Sequence, residues 1–285
     1  DNFTHQELFP ELDWRYASSY DNHFVRIGVR DEWKRVSQFD FLMGDFRWSG
    51  FDYLGESQRK EGWPARADNY GIIDLAGFPK DHYHLYQSLW KEEPMVHILP
   101  HWTHPGKEGK IIPVVAYTNA ESAELFLNGA SLGTKIMGDD LQIMWKVPYH
   151  PGTLRVTAYR DKKPVATQIK KTAGKARQID IQPDRKRMLP NQRDVIHLKI
   201  KILDQKGTLV PHANDTIHFD IQGPARSLGV ENGDILDTSP HDVTYRKAFM
   251  GKCLLVIQAT HKRGKVTVKA SSKGLKSKIT EIKVK

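Results

Sequence analysis

The 285-residue sequence holds a single cysteine, Cys253. One thiol excludes an internal disulfide and any multi-cysteine metal site. Within Cys253-Leu254-Leu255-Val256-Ile257 it reads as a small core residue of a strand. Long apolar stretches are lacking as well: no run approaches the ~20 residues that cross a bilayer. The amino terminus, Asp1-Asn2-Phe3-Thr4-His5, has neither an initiating methionine nor the pattern of a signal peptide, so the chain is expected to be processed or excised from something longer. What remains is a composition of 39% hydrophobic residues with a mean hydropathy of −0.56. That composition excludes disorder and a membrane-embedded fold and implies a folded, soluble chain of two domains or three small ones.

The net charge of +9 is unevenly spread: Lys175–Lys285 carries 22 Lys/Arg against 11 Asp/Glu, and the remainder has 21 against 23. A basic segment raises the question of nucleic acid or anionic polysaccharide. The charges alternate with apolar residues, however, as in Lys199-Ile200-Lys201-Ile202 and Lys265-Val266-Thr267-Val268-Lys269. That is the pattern of a solvated sheet face.

Residues 1–93 read as helix, strand and long loop. Asp31 is placed as N-cap of a helix through Trp33, Val36 and Phe39. Phe41–Trp48 is a mostly apolar run that fits a strand buried on both faces of a parallel sheet. A Gly/Pro-punctuated loop runs from Ser49 to Phe78. Pro79 then starts a second helix, with Tyr83, Tyr86, Leu89 and Trp90 on one face. This order is the grammar of a (β/α)8 TIM barrel, of which only the end fits into 93 residues, since a whole one needs roughly 250.

From Pro94 onward the pattern is all β. Ile111–Thr118, Ala123–Leu127, Leu141–Val147, Thr153–Ala158 and Val165–Lys170 belong to a set of about six short strands, with Asn128-Gly129 as a hairpin turn. Thr172–Lys175 reads as a linker. Beyond it, Ile196, Leu198, Ile200 and Ile202 alternate with polar residues, as do Ile217, Phe219 and Ile221. Gly251–Thr260, Gly264–Ala270 and Ile279–Val284 add further strands. The expected chain is multidomain: the barrel end (1–93), a β-sandwich (94–173) and an immunoglobulin-like β-sandwich (174–285).

Gly44-Asp45-Phe46-Arg47-Trp48-Ser49-Gly50-Phe51-Asp52-Tyr53-Leu54-Gly55-Glu56 resembles the end of the last barrel strand of glycoside hydrolase family 2. Trp63-Pro64-Ala65-Arg66 and the stretch Tyr70–Asp81 extend the likeness. Ala123–Gly129 is similar to the hairpin of the next sandwich, and Gly229–Asp234 with Arg246–Phe249 to the sandwich after it. The β-galactosidases of Bacteroides-type polysaccharide degraders are the nearest in pattern. The resemblance implies a retaining exo-β-glycosidase. In such an enzyme one Glu protonates the leaving oxygen and another, roughly 5–5.5 Å away, attacks the anomeric carbon, with no cofactor. Ser19–Asn22 resembles the loop after the nucleophile strand, which places that carboxylate upstream. Glu7 and Glu11 lack a strand-end setting, so no catalytic residue is named, and the chain alone is expected to be inactive.

The family likeness makes Trp48 the candidate floor of a sugar subsite, its indole against the C–H face of a galactose ring. Asp52 and Glu56 are candidates to accept sugar hydroxyls or to cap their own loop. Trp63 and Asn69 are candidates for the subsite rim. Family β-glucuronidases hold the sugar carboxylate through an Asn and a Lys near this loop. Asp68-Asn69-Tyr70-Gly71 has no Lys there, which favours a neutral hexose. His82 and His84, two apart on a helix, do not share a face, and His101 and His104 flank Trp102 without a ligand pattern, so no metal is expected. Trp102, Tyr117, Phe126 and Trp145 read mostly as core, with Trp102 the one suited to a rim contact. The expected partners are a carbohydrate substrate and the amino-terminal part of the same enzyme, with no nucleic acid and no membrane; a homo-oligomer stays open. The resemblance implies a periplasmic or extracellular location. Two alternatives remain: a non-catalytic carbohydrate-binding or scaffold module, and a family β-glucuronidase or β-mannosidase.

Overall fold

The computed structural model describes residues 29–55, 67–68 and 70–285. Glu7, Glu11, Ser19–Asn22, Glu56, Trp63 and Asn69 lie outside the described residues. The chain divides into two compact units, the main crossing lying at Thr172–Ala173, with Leu75–Gly77 grouped with the second.

In the first unit, helix α1 spans Val29–Gln38. Asp31 therefore lies inside the helix rather than capping it, and with Glu32 it places negative charge in the first turn, where the helix dipole favours it. Phe41–Trp48 is not the doubly buried strand the apolar run predicts. It joins no sheet, and Phe41, Met43, Phe46 and Trp48 are exposed. A parallel strand takes its hydrogen bonds from neighbours on both edges, and among the described residues none pairs with this run. The short strands β1 (Tyr53–Leu54) and β2 (Ala67–Asp68) pair antiparallel. Helix α2 (Asp81–Trp90) has Lys80 as its N-cap residue. Its buried stripe is His82, Leu85 and Tyr86, one position off the predicted face. Trp90 is exposed, its ring 4.8 Å from Tyr86 and 6.3 Å from Trp33.

Seven strands follow: β3 (Val96–Leu99), β4 (Ile111–Thr118), β5 (Ser122–Leu127), β6 (Ala130–Ile136), β7 (Ile143–Pro148), β8 (Thr153–Arg160) and β9 (Lys163–Lys171). They form two antiparallel sheets, ordered β3-β4-β7 and β6-β5-β8-β9. Residues of one face meet in a core of Ile98, Ile112, Val114, Ala116, Leu125, Leu154 and Val156. β4 is buried along nearly its whole length because both its faces are covered. Val114 and Ala116 enter that core, whereas Val115 and Tyr117 pack with Val29, Leu85 and Tyr86 of the helices. Arg30 adds an ion pair to Asp140 at 2.8 Å. Asn128 and Gly129 both take positive φ in the β5–β6 turn, as a type I′ hairpin requires.

The second unit is built on β10 (Ala176–Pro183), β11 (Arg187–Met188), β12 (Val195–Asp204), β13 (Thr216–Gln222), β14 (Ala225–Glu231), β15 (Tyr245–Lys247), β16 (Lys252–Ala259), β17 (Gly264–Ser271) and β18 (Lys278–Val284). Two sheets, β10-β12-β16-β14 and β11-β18-β17-β13-β15, enclose one apolar core. Alternation in β12 sends Ile196, Leu198, Ile200 and Ile202 inward, and Cys253 is wholly buried among them. Burial raises the Cys253 thiol to about 12. Arg246 is also buried; it is paired with Asp237 at 2.9 Å and donates to the carbonyls of Val230 and Pro240. Among the described residues no helix is long and apolar enough to cross a membrane.

Candidate functional site

The segment Ser49–Asp52 lies against Tyr70–Ile73 through a ladder of backbone bonds. Ser49 N–H donates to Tyr70, Ile72 to Ser49, Ile73 to Gly50 and Asp52 to Ile73, at 2.9–3.3 Å. The approach is close enough to demand glycine at 71. A β-carbon there would sit 2.0 Å from the Asp52 nitrogen and 2.1 Å from the Phe51 carbonyl carbon. Asp74 closes the next turn, accepting the Phe78 N–H at 2.8 Å.

Asp52 fixes this arrangement from inside. It is 5% exposed, and its Oδ1 accepts the Gly71 N–H at 2.9 Å and the Lys80 ammonium at 2.6 Å. Burial pushes the Asp52 carboxyl up to about 7 while the Lys80 charge pulls it down; burial likewise lowers Lys80, against the pull of Asp52. Asp52 thus bonds its own loop, through a partner, Lys80, that local sequence patterns do not reveal. The signal was weak: a lysine beside Pro79 at a helix start reads as solvated, and its carboxylate lies 28 positions away.

Trp48, at the start of the same segment, points elsewhere. It is 67% exposed, with its Nε1–H donated to Tyr53 Oη at 3.0 Å and the two rings edge to face at 6.2 Å. The hydrogen bond satisfies the polar edge of the indole and leaves its face open, the arrangement that suits stacking on an apolar ligand surface. The structure therefore brings Trp48, Asp52, Gly71 and Lys80 onto one locked segment, with Tyr53 as a second residue not singled out in the sequence.

Trp102 is 1% exposed, donates to the His150 carbonyl at 3.0 Å, and packs edge to face on Tyr149 in the sandwich core. It is no rim residue. Its loop folds inward because the indole and Tyr149 are the large side chains that fill that end of the core. Tyr117 and Trp145 are buried too. The ring of Phe126 is covered by the Arg155 guanidinium at 3.8 Å. His84 and His97 stack at 3.7 Å between ring centroids, with His97 Nε2 3.0 Å from Asp81.

Residues 179–281 match the profile described as glycoside hydrolase family 2 C-terminal domain 5, and residues 109–166 match a domain of unknown function. The chain is 42% identical to the β-galactosidase BoGH2A of Bacteroides ovatus over 93% of its length, which is 31% of that protein. It is 28% identical to a β-glucuronidase of Bacteroides fragilis over 49% of its length and 20% of that relative. It superposes on the crystal structure of a β-glycosidase from Bacteroides vulgatus with a TM-score of 0.92 and 43% identity, covering 99% of this chain and 36% of that one. The chain thus spans about a third of the length of the first of these relatives. Its two sandwiches and the segment that carries Trp48 belong to glycoside hydrolase family 2, as a carboxyl-terminal portion of such a protein.

Proposed function

We propose that this chain is the carboxyl-terminal portion of a retaining exo-β-galactosidase that removes terminal β-galactosides from oligo- or polysaccharides outside the cytoplasm. The observation that carries this reading is the exposed indole of Trp48, clamped at its N–H by Tyr53 on a segment locked by Asp52, Gly71 and Lys80. A rigid aromatic face can pack on the C–H face of a galactose ring and exclude water from one wall of the subsite. Asp52 acts here as a positioning residue; Glu56, Trp63 and Asn69 are retained as subsite candidates on the continuing loop. The likeness to a β-galactosidase along nearly the whole chain supports the sugar. The catalytic pair of Glu residues is placed in polypeptide upstream, and two carboxylates suffice for this chemistry without a cofactor.

Residues 1–93 are, in this reading, the end of a (β/α)8 barrel, with 94–173 and 174–285 as the following sandwiches, the last immunoglobulin-like. The exposed apolar side chains of Phe41, Met43 and Phe46 support it, since a run of this kind in a soluble protein marks a surface that another part covers. Here that part is the amino-terminal portion of the enzyme. A second reading, β-glucuronidase, draws on the relative of that activity. The full-length protein, assayed with chromogenic β-galactoside, β-glucuronide and β-mannoside in parallel, separates them. Turnover of the galactoside alone is expected, and preference for either of the others moves the chain within the family.

A further inference from the structure

In the second unit, the loop before β12, the start of β14 and the turn from β16 into β17 surround an open cleft of about 850 Å³. Its polar lining includes Gln192, Arg226, Gln258, His261, Lys262 and Arg263. The walls are tied together by backbone bonds: Ala259 N–H donates to Asp194 and Thr260 N–H to Pro224, both at 3.0 Å. Gly223, with φ of 101°, lets the start of β14 pass so near β17 that a β-carbon would meet the Lys265 carbonyl oxygen at 2.2 Å. The concavity is thus part of the sandwich scaffold rather than of a free loop.

No carboxylate lines the cleft. Arg226 is oriented by Gln258, whose Oε1 accepts from Nε at 3.0 Å and from Nη2 at 2.7 Å, so Nη1 carries no intrachain bond among the described residues. The side chains of Lys262 and Arg263 are exposed and have no acidic partner among the described residues. Some cations elsewhere in the unit do have one: Lys265 pairs with Glu281 at 2.9 Å, Arg246 with Asp237 at 2.9 Å, and Arg185 with Asp194. Three uncompensated cations converge on one concave surface, in a segment with 22 basic and 11 acidic residues. Such a surface focuses potential and concentrates an anionic ligand.

We propose that this cleft is an accessory site for an acidic polysaccharide, the cations holding its sulfate or carboxylate groups and the two glutamine amides its hydroxyls. Guanidinium groups bind both anions through paired N–H donors; the Gln192 amide donates and accepts toward a hydroxyl, and Gln258, its Oε1 taken by Arg226, donates through its NH2. A nucleic acid fits less well. No Trp, Tyr or Phe lines the cleft to stack a base. The ligand class rests on the carbohydrate reading above; the geometry of the cleft does not.

The test is calorimetric titration of the 285-residue chain, near 0.15 M ionic strength, with dextran sulfate and with polygalacturonate. Neutral galactan and duplex DNA serve as comparisons. Saturable binding to at least one acidic glycan is expected, and the stronger of the two identifies the anion. Lys262→Gln/Arg263→Gln should weaken it by about tenfold or more. Lys273→Gln/Lys278→Gln, which removes the same charge from exposed sites away from the cleft, should leave it within about twofold. Absence of binding, equal loss in both variants, or DNA bound as tightly as the glycans would overturn the proposal. Galactoside turnover by the full-length enzyme is read separately, so failure of one inference does not mimic failure of the other.

Discussion

Lys80 holds its ammonium away from water because the Asp52 carboxylate sits 2.6 Å from it in the same buried space. Removing one member of such a pair leaves the other uncompensated, at a cost of about 3–5 kcal/mol. Asp52→Ala is therefore expected to destabilise the first unit strongly, and Asp52→Ala/Lys80→Met to recover much of the loss. A double-mutant cycle by urea unfolding measures both, and additive effects would show that the pair is not coupled. His97 makes a second prediction. Burial lowers its imidazole from 6.5 to about 4, with the Asp81 hydrogen bond opposing, Lys170 assisting, and His84 stacked on the ring. The unfolded chain thus binds the proton more readily, so stability is intact above about pH 6.5 and declines as pH falls toward 4. A shift of this size corresponds to roughly 3 kcal/mol. His97→Gln, which keeps a donor for Asp81, should flatten the pH dependence of unfolding over that window; an unchanged slope would assign it to other groups.

At the scale of elements, what could be read from the sequence depended on whether an element declared itself by its own period. β4, β12 and β13 did, through apolar runs or alternation. β6 did not: all seven of its residues are exposed, so its pairing with β5 left no hydrophobic trace beyond the Asn128-Gly129 turn. β10 alternates inward at Ile179 and Ile181 but follows directly on the linker-like stretch that masked it. Phe41–Trp48 failed in the opposite sense, since its composition specifies a strand whereas pairing partners decide whether one forms. The lock between Ser49–Asp52 and Tyr70–Ile73 was also invisible, because it depends on backbone proximity between residues as far apart in sequence as Asp52 and Gly71, separated by 19 positions. Its sensitive point is Gly71. Gly71→Ala forces a β-carbon into the backbone of Phe51 and Asp52, which cannot give way as a flexible side chain does. The ladder should open, and hydrogen exchange at Asp52 and Ile73 should quicken by about tenfold or more, with exchange in β12 unchanged. Protection retained at Asp52 and Ile73 would mean that the segment accommodates the methyl group.

For the whole molecule, the order of motifs was more informative than any single one. The stretches Gly44–Glu56, Tyr70–Asp81, Ala123–Gly129 and Gly229–Asp234, met in that order, resemble glycoside hydrolase family 2, and the match at 42% identity to a β-galactosidase agrees with that resemblance. Charge balance alone pointed toward nucleic acid and was tempered by its alternation along strands; the basic cleft of the second unit is where that charge gathers on a concave surface. The central claim is that Trp48 forms one wall of a galactoside subsite. Its most direct test is kcat/KM of the full-length enzyme on a chromogenic β-galactoside, for wild type and Trp48→Ala, with unfolding midpoints measured alongside. Loss of a stacked indole from the transition state is expected to remove about 2 kcal/mol, roughly thirtyfold in kcat/KM, while the midpoint of this exposed position stays within about 1 °C of wild type. Wild-type kcat/KM in Trp48→Ala would contradict the account.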